Sequence, residues 1–204
     1  MFVSAIRIHL LGFKKKTMSK SSNNVVMHGH QGMVGDMLVF KQVNGKTVVS
    51  QRPRKSNKPP SEGQLQRQEK FLEATIYAKN AVNDLVLKPI YDALAGGGKT
   101  AYNVAIADFL KSPVLSKAIT ENYTGIVGEQ IKVRAIDVVR VEKVSVNIFA
   151  ADETLIEQGE ASLLPNGLDW EYTTTQLNPV LTASIIRFVA TDIPGNTTTL
   201  EVTI

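Results

Sequence analysis

Three glycines running into Lys99 and Thr100 (AGGGKT, residues 95–100) are residue types that can cradle the phosphates of a nucleotide. In such a loop, G-x-x-x-x-G-K-[ST], backbone amides converge on the β-phosphate. That geometry requires glycine at the first position, a strand before the loop and a helix after it. The first position here is Ala93, and the preceding KPIYDALA has the composition of a helix. No apolar run ending in aspartate follows in an α/β context to hold Mg²⁺. The stretch therefore predicts a glycine-terminated helix, a loop, and a second helix with Thr100 as its N-cap.

The other reactive residue types are sparse. The histidines are His9, His28 and His30, so residues 31–204 offer no imidazole for a Ser-His-Asp arrangement. His28 and His30 could approach one metal ion, but no third ligand accompanies them in a Ser/Asn/Gly-rich segment, and a solvated tail is the expected reading. Asp152, Glu153, Glu157 and Glu160 cluster along one hairpin. A carboxylate pair for glycoside chemistry needs a set separation across a cleft, whereas alternating charge on an exposed strand face needs nothing further. Asp192 and Asn196 could join a Ca²⁺ site at a loop end or stabilise a turn by local hydrogen bonds. With no cysteine there is neither a disulfide framework nor a thiolate metal site. The expectation is a protein without catalytic residues, metal or cofactor.

Charge is the strongest signal. Residues 1–60 hold eleven Lys/Arg against the single acid Asp36, a balance of +10; residues 61–120 stand at +1 and residues 121–204 at −7. Lys41, Lys46, Arg52, Arg54, Lys55 and Lys58 are the candidate contacts to a partner or to phosphates. Phe40 is the only Phe, Tyr or Trp between Lys14 and Phe71, and no base-reading motif is present, so binding to nucleic acid would be non-specific. The alternative partner is an acidic protein surface, such as the C-terminal region of a neighbouring copy.

The elements that position these residues fall into three segments: a flexible basic arm over 1–33; a β-hairpin, basic linker and three helices over 34–120; and a β-sandwich over 121–204. The opening MFVSAIRIHLLGF has its basic cluster after the apolar run, the reverse of a signal peptide. Residues 1–17 are either part of the mature chain or an extension ahead of a start at Met18. No apolar run approaches the roughly 20 residues that span a bilayer. Order is expected from about Val34, with strands at Met37–Val43 and Lys46–Gln51 joined by Asn44-Gly45, a dipeptide suited to a two-residue turn with positive φ at both positions. An isolated hairpin is marginal, so it should lean on a helix or on a partner's sheet.

RPRKSNKPP (52–60) is a proline-punctuated linker, followed by a helix with Ser61 as N-cap and Leu65, Leu72 and Ile76, joined by Phe71 and the Ala78–Val82 stretch, as its packing face. Further helices are expected at Lys88–Leu94 and Ala101–Leu110, the last with an apolar stripe of Tyr102, Ala105, Ile106 and Phe109. From Tyr123 onward the runs QIKVRAI, KVSVNIFA, TLIEQGEA, LDWEYTTT, ASIIRFVAT and TTTLEVTI alternate as half-buried antiparallel strands do. The fold class is thus α+β in two modules.

IIRFVATDIPGNTTTLEVTI resembles the last two strands of bacterial Ig-like domains, with an A-x-D-x-x-G-N turn at Ala190, Asp192, Gly195 and Asn196. IKVRAID, VSVNIFAADETLIEQGEA and the lone Trp170 look like earlier strands of the same fold. The resemblance covers about eighty residues and implies an adhesion, spacing or assembly module. GMVGDMLVF, GKTVVSQRPRK and SEGQLQRQEKF are similar to the front end of uncharacterised bacterial and prophage-encoded proteins. Three functions follow as expectations: a non-enzymatic structural or assembly protein whose basic arm engages partner subunits or its own copies, as in a virion-like particle; a non-specific nucleic-acid-binding protein; and a carbohydrate- or surface-binding adhesion module.

Overall fold

The computed structural model describes residues 19–21, 27, 29–53 and 58–204. The chain forms two compact units, 1–59 and 60–204. It is an α+β protein with, among the described residues, three antiparallel four-stranded sheets and three helices.

In the first unit, β3 (Leu38–Val43) and β4 (Lys46–Gln51) form the expected hairpin. Asn44 and Gly45 take φ of +51° and +73°, as the two-residue turn requires. The stretch 19–33, expected to be irregular, supplies two more strands. β1 (Ser19–Ser21) pairs with β4 and β2 (Gly32–Val34) with β3, giving the order β1-β4-β3-β2. Added strands answer the physical weakness of a lone hairpin. They do not give the sheet a core, because Thr47 and Val48 are the only buried residues among those described in this unit.

The second unit begins with α1 (Glu62–Ala81), α2 (Leu87–Ala93) and α3 (Ala101–Leu110). Gln64 Oε1 accepts the Ser61 backbone N–H at 2.9 Å, closing the start of α1. The expected packing face of α1 is used only in its Ala78–Val82 stretch, where Ala78 and Ala81 are buried together with Ala74. Leu65, Leu72 and Ile76, on the opposite side of the helix, and Phe71 are each about half exposed. Small side chains let α1 approach α3 closely, where Ala105 is also fully buried, and the resulting cluster includes Tyr91 and Val104. Residues 62–73 contain no buried side chain.

AGGGKT is the joint between α2 and α3. Gly96 and Lys99 exchange both backbone hydrogen bonds at 3.0 Å around Gly97-Gly98, and Thr100 Oγ1 accepts the Asn103 N–H at 3.3 Å as the N-cap of α3. All three glycines have positive φ, and a helix rather than a strand precedes them. These are the helix stop and helix start read from the sequence.

Eight strands complete the unit. β5 (Val114–Ile119), β6 (Gln130–Ile136), β10 (Asp169–Thr173) and β9 (Ser162–Leu163) form one sheet in that order. β12 (Thr197–Thr203), β11 (Ile185–Asp192), β7 (Val141–Phe149) and β8 (Leu155–Glu160) form the other. Ile131, Val133, Ala135, Trp170 and Tyr172 from the first sheet share one core with Val144, Val146, Ile148, Ile186, Phe188 and Ala190 from the second. Gly159 is required by this packing, since a Cβ there would lie 2.4 Å from the Tyr172 ring. β5 and β9 have no counterpart in the sequence reading. β5 is irregular, with Lys117 at φ +50° and a register shift between Ser116 and Ile119 that breaks the alternation.

Candidate functional site

The basic candidates sit on the N-terminal sheet. Register places Lys41 opposite Val48 and Val43 opposite Lys46, so Lys41 and Lys46 share one face with Met33, Val39, Val43 and Val48. The other face carries Val34, Leu38, Phe40 and Val49, with Gln42 Nε2 donating to Thr47 Oγ1 at 2.7 Å and to the His30 carbonyl at 2.9 Å. Lys41 and Lys46 are exposed, as are the apolar Met33, Val34, Met37, Leu38 and Val43. Arg52 forms an ion pair with Asp36, so the one acid of the basic segment neutralises one of its candidate cations. Lys58 is exposed beyond the sheet; Arg54 and Lys55 lie outside the described residues, as do His28 and the cluster Lys14–Lys16. Asn44 and Gly45 form the turn beside Lys46 and contribute shape rather than charge.

The acidic hairpin disperses. Asp152 and Glu153 are exposed in the β7–β8 turn, where Asp152 Oδ1 accepts the Thr154 N–H, and Glu160 is exposed on β8. Glu157, expected on a solvated face, is buried at 5% exposure. Its Oε2 accepts from Tyr172 Oη, Thr175 N, Thr175 Oγ1 and Gln176 N at 2.8–3.2 Å. Four donors on one oxygen anchor the segment after β10 to β8, a structural task.

A cluster missed by the sequence reading lies where α3 meets the sandwich. Asp192 is fully buried, and its two carboxylate oxygens accept from Asn196 N at 2.6 Å and Asn196 Nδ2 at 2.8 Å. The same Nδ2 reaches the carbonyls of Phe109 at 3.2 Å and Asp108 at 3.4 Å, capping the end of α3. The A-x-D-x-x-G-N turn thus clamps a helix. Asp108, on α3, is fully buried; its Oδ2 accepts the Tyr91 hydroxyl at 2.8 Å, and Tyr91 in turn meets the Tyr77 hydroxyl at 2.7 Å. Asp108 Oδ1 is buried without a donor, whereas the buried Asp137 carboxyl, in the β6–β7 turn, lies against the backbone amides of Val138 and Val139. The two carboxyls face each other within hydrogen-bonding reach. Burial, opposed by the Tyr91 hydrogen bond and reinforced by Asp137 and Asp192, pushes the Asp108 carboxyl up to about 7, and burial raises Asp137 as well. The signal available in sequence was a lone charged residue at i+3 and i+4 from Ala105 and Val104 on α3.

Among the described residues, no group of three or more His, Asp and Glu is arranged to hold a metal ion, and no helix is long and apolar enough to cross a membrane. No family model matches the chain, and no curated protein matches it. Among solved structures, the crystal structure of an engineered protein from the Northeast Structural Genomics Consortium aligns over 53% of this chain at 17% identity, with a TM-score of 0.30. The alignment spans 28% of that protein's length.

Proposed function

We propose that this chain is a non-enzymatic structural or assembly protein, a subunit of a larger, virion-like particle, whose basic N-terminal sheet engages the acidic C-terminal region of another copy. One observation carries the reading: the face of the sheet that bears Lys41 and Lys46 leaves Met33 57% and Val43 49% exposed, and Val34 and Leu38 on its other face and Met37 in the turn between β2 and β3 are exposed as well. An apolar surface with a basic rim is what a partner interface looks like before the partner arrives. Charge selects the occupant, since residues 121–204 carry a balance of −7 and an acidic surface suits the +10 segment. The two facing sheets support an Ig-like sandwich as the projecting module, and the half-exposed Leu65, Leu72 and Ile76 of α1 add a second apolar surface for the assembly.

Light scattering on the full chain tests this. At low salt the mass should exceed the 22.3 kDa of one chain. High salt, or Lys41→Glu with Lys46→Glu, should return it to one chain. A single-chain mass at every concentration in low salt would overturn the proposal. Added duplex DNA separates the nucleic-acid reading: binding whose log affinity falls linearly with log salt, and which the double variant abolishes, would put phosphate in place of the acidic partner.

A further inference from the structure

We propose that Asp108 and Asp137 share one proton across the joint between α3 and the sandwich, and that its loss above neutral pH loosens α3 from the β11–β12 turn. The inference is independent of the assembly proposal. It starts from an unmet hydrogen bond: Asp108 Oδ1 is buried with no donor and faces the Asp137 carboxyl, which the backbone of Val138 and Val139 holds, and two ionised carboxylates side by side there would repel without relief. A single proton satisfies the arrangement. Placed on Asp108 Oδ1, it is donated to Asp137, while Tyr91 donates to Asp108 Oδ2.

The surrounding groups assign the proton to Asp108. From α1 comes Tyr77 and from α2 Tyr91, both neutral, their hydroxyls raised by burial. β11 brings the buried Asp192, whose negative charge opposes ionisation of Asp108. Lys111 at the end of α3 and Glu142 and Lys143 on β7 are exposed. Arg140 is exposed and lines, with Asp137, Val139 and Trp170, a cleft of about 210 Å³. Among the described residues, no ion pair joins a cation to Asp108, Asp137 or Asp192. Asp137, held by the backbone amides of Val138 and Val139 and lining the cleft with Arg140, is thus the member of the pair suited to carry the charge.

The sign of the effect follows. An aspartate in an unfolded chain titrates near 3.9. Between about pH 4 and pH 7 the native state therefore holds a proton that the unfolded chain has lost, and stability falls as pH rises through that window, then levels. The unfolding equilibrium constant should grow by up to about tenfold per pH unit there. Above the window two adjacent buried carboxylates repel, and the contact they straddle is that between α3 and the sandwich.

Hydrogen exchange at pH 6 and pH 8, corrected for intrinsic rates, tests the joint in the full chain. In the wild type, protection of the α3 amides should drop at pH 8, and the urea midpoint should fall from pH 5.5 to pH 8. Asp108→Asn keeps a donor toward Asp137 and an acceptor for Tyr91, so its α3 protection and midpoint should be flat with pH. A variant that retains the wild-type slope overturns the proposal. Infrared spectroscopy provides a measurement that survives a poorly folding variant. The wild type at pH 6 should show a protonated-carboxyl band that is gone by pH 8.5, and a wild type without that band at pH 6 overturns the proposal too.

Discussion

The N-terminal sheet and the sheets of the sandwich are each four-stranded and antiparallel, yet they stand at opposite ends of self-sufficiency. Val144, Val146, Ile148, Ile186, Phe188 and Ala190 are all fully buried, because a second sheet lies over the face they share. β3 and β4 carry comparable residues, but Val48 is the one apolar side chain of their sheet that is buried. Strand alternation supplies an apolar face; only a second layer turns that face into a core. The sandwich owns its second layer, and the N-terminal sheet has an apolar surface left over, which is the basis for giving it a partner.

Four measurements would break or sharpen this contrast. The largest effect is expected from Phe188→Ala, which should cost about 3–5 kcal/mol in urea unfolding followed by Trp170 fluorescence; an unchanged midpoint would mean that the shared core is not what stabilises the sandwich. Glu157→Ala leaves Tyr172 Oη and the amides of Thr175 and Gln176 without an acceptor, for a loss of about 2–4 kcal/mol in the same transition. In the sheet, Gly45→Val forces a β-branched residue to φ +73°, at about 1–2 kcal/mol. That variant should speed amide exchange over residues 38–51 while leaving the Trp170 transition in place, and coupled loss of both would erase the distinction between the regions. The smallest effect concerns the sandwich surface. Arg134 pairs with Asp169 at 2.7 and 3.0 Å and holds its carboxyl down to about 2. This contribution is present above the ordinary aspartate range and is lost as pH falls through about 2, so Arg134→Ala should lower stability slightly at pH 7, with the difference from wild type shrinking as pH falls toward 2.

How much of this was legible in the sequence depended on the kind of signal. Alternation located β6, β7, β8, β10, β11 and β12, because each has one face on the core and one toward solvent. β5 escaped because its register shift and the positive φ of Lys117 remove that alternation. The helices were found at nearly their observed limits from caps and prolines. The buried face of α1 was legible only in part: Ala78 and Ala81 fall in the expected Ala78–Val82 stretch, but leucine outweighs alanine in any hydrophobic count, so the pattern points to Leu65, Leu72 and Ile76 where close approach of two helices favours alanine. Lys41 and Lys46 were legible as a basic pair, since period-two geometry and the Asn44-Gly45 turn fix their common face. The Asp108–Asp137 contact joins residues 29 apart in sequence on elements of different type, and no local pattern announces it.

The Asn196 side chain holds carbonyls 87 and 88 residues earlier in the chain. On a ribosome adding about 5–20 residues per second, α3 leaves synthesis on the order of ten seconds before the amide that caps it exists. During that interval the Phe109 carbonyl lacks this partner, while that of Asp108 keeps the Lys111 N–H. The clamp is therefore also a timer: the helical module becomes locked only when the turn between β11 and β12 has been made.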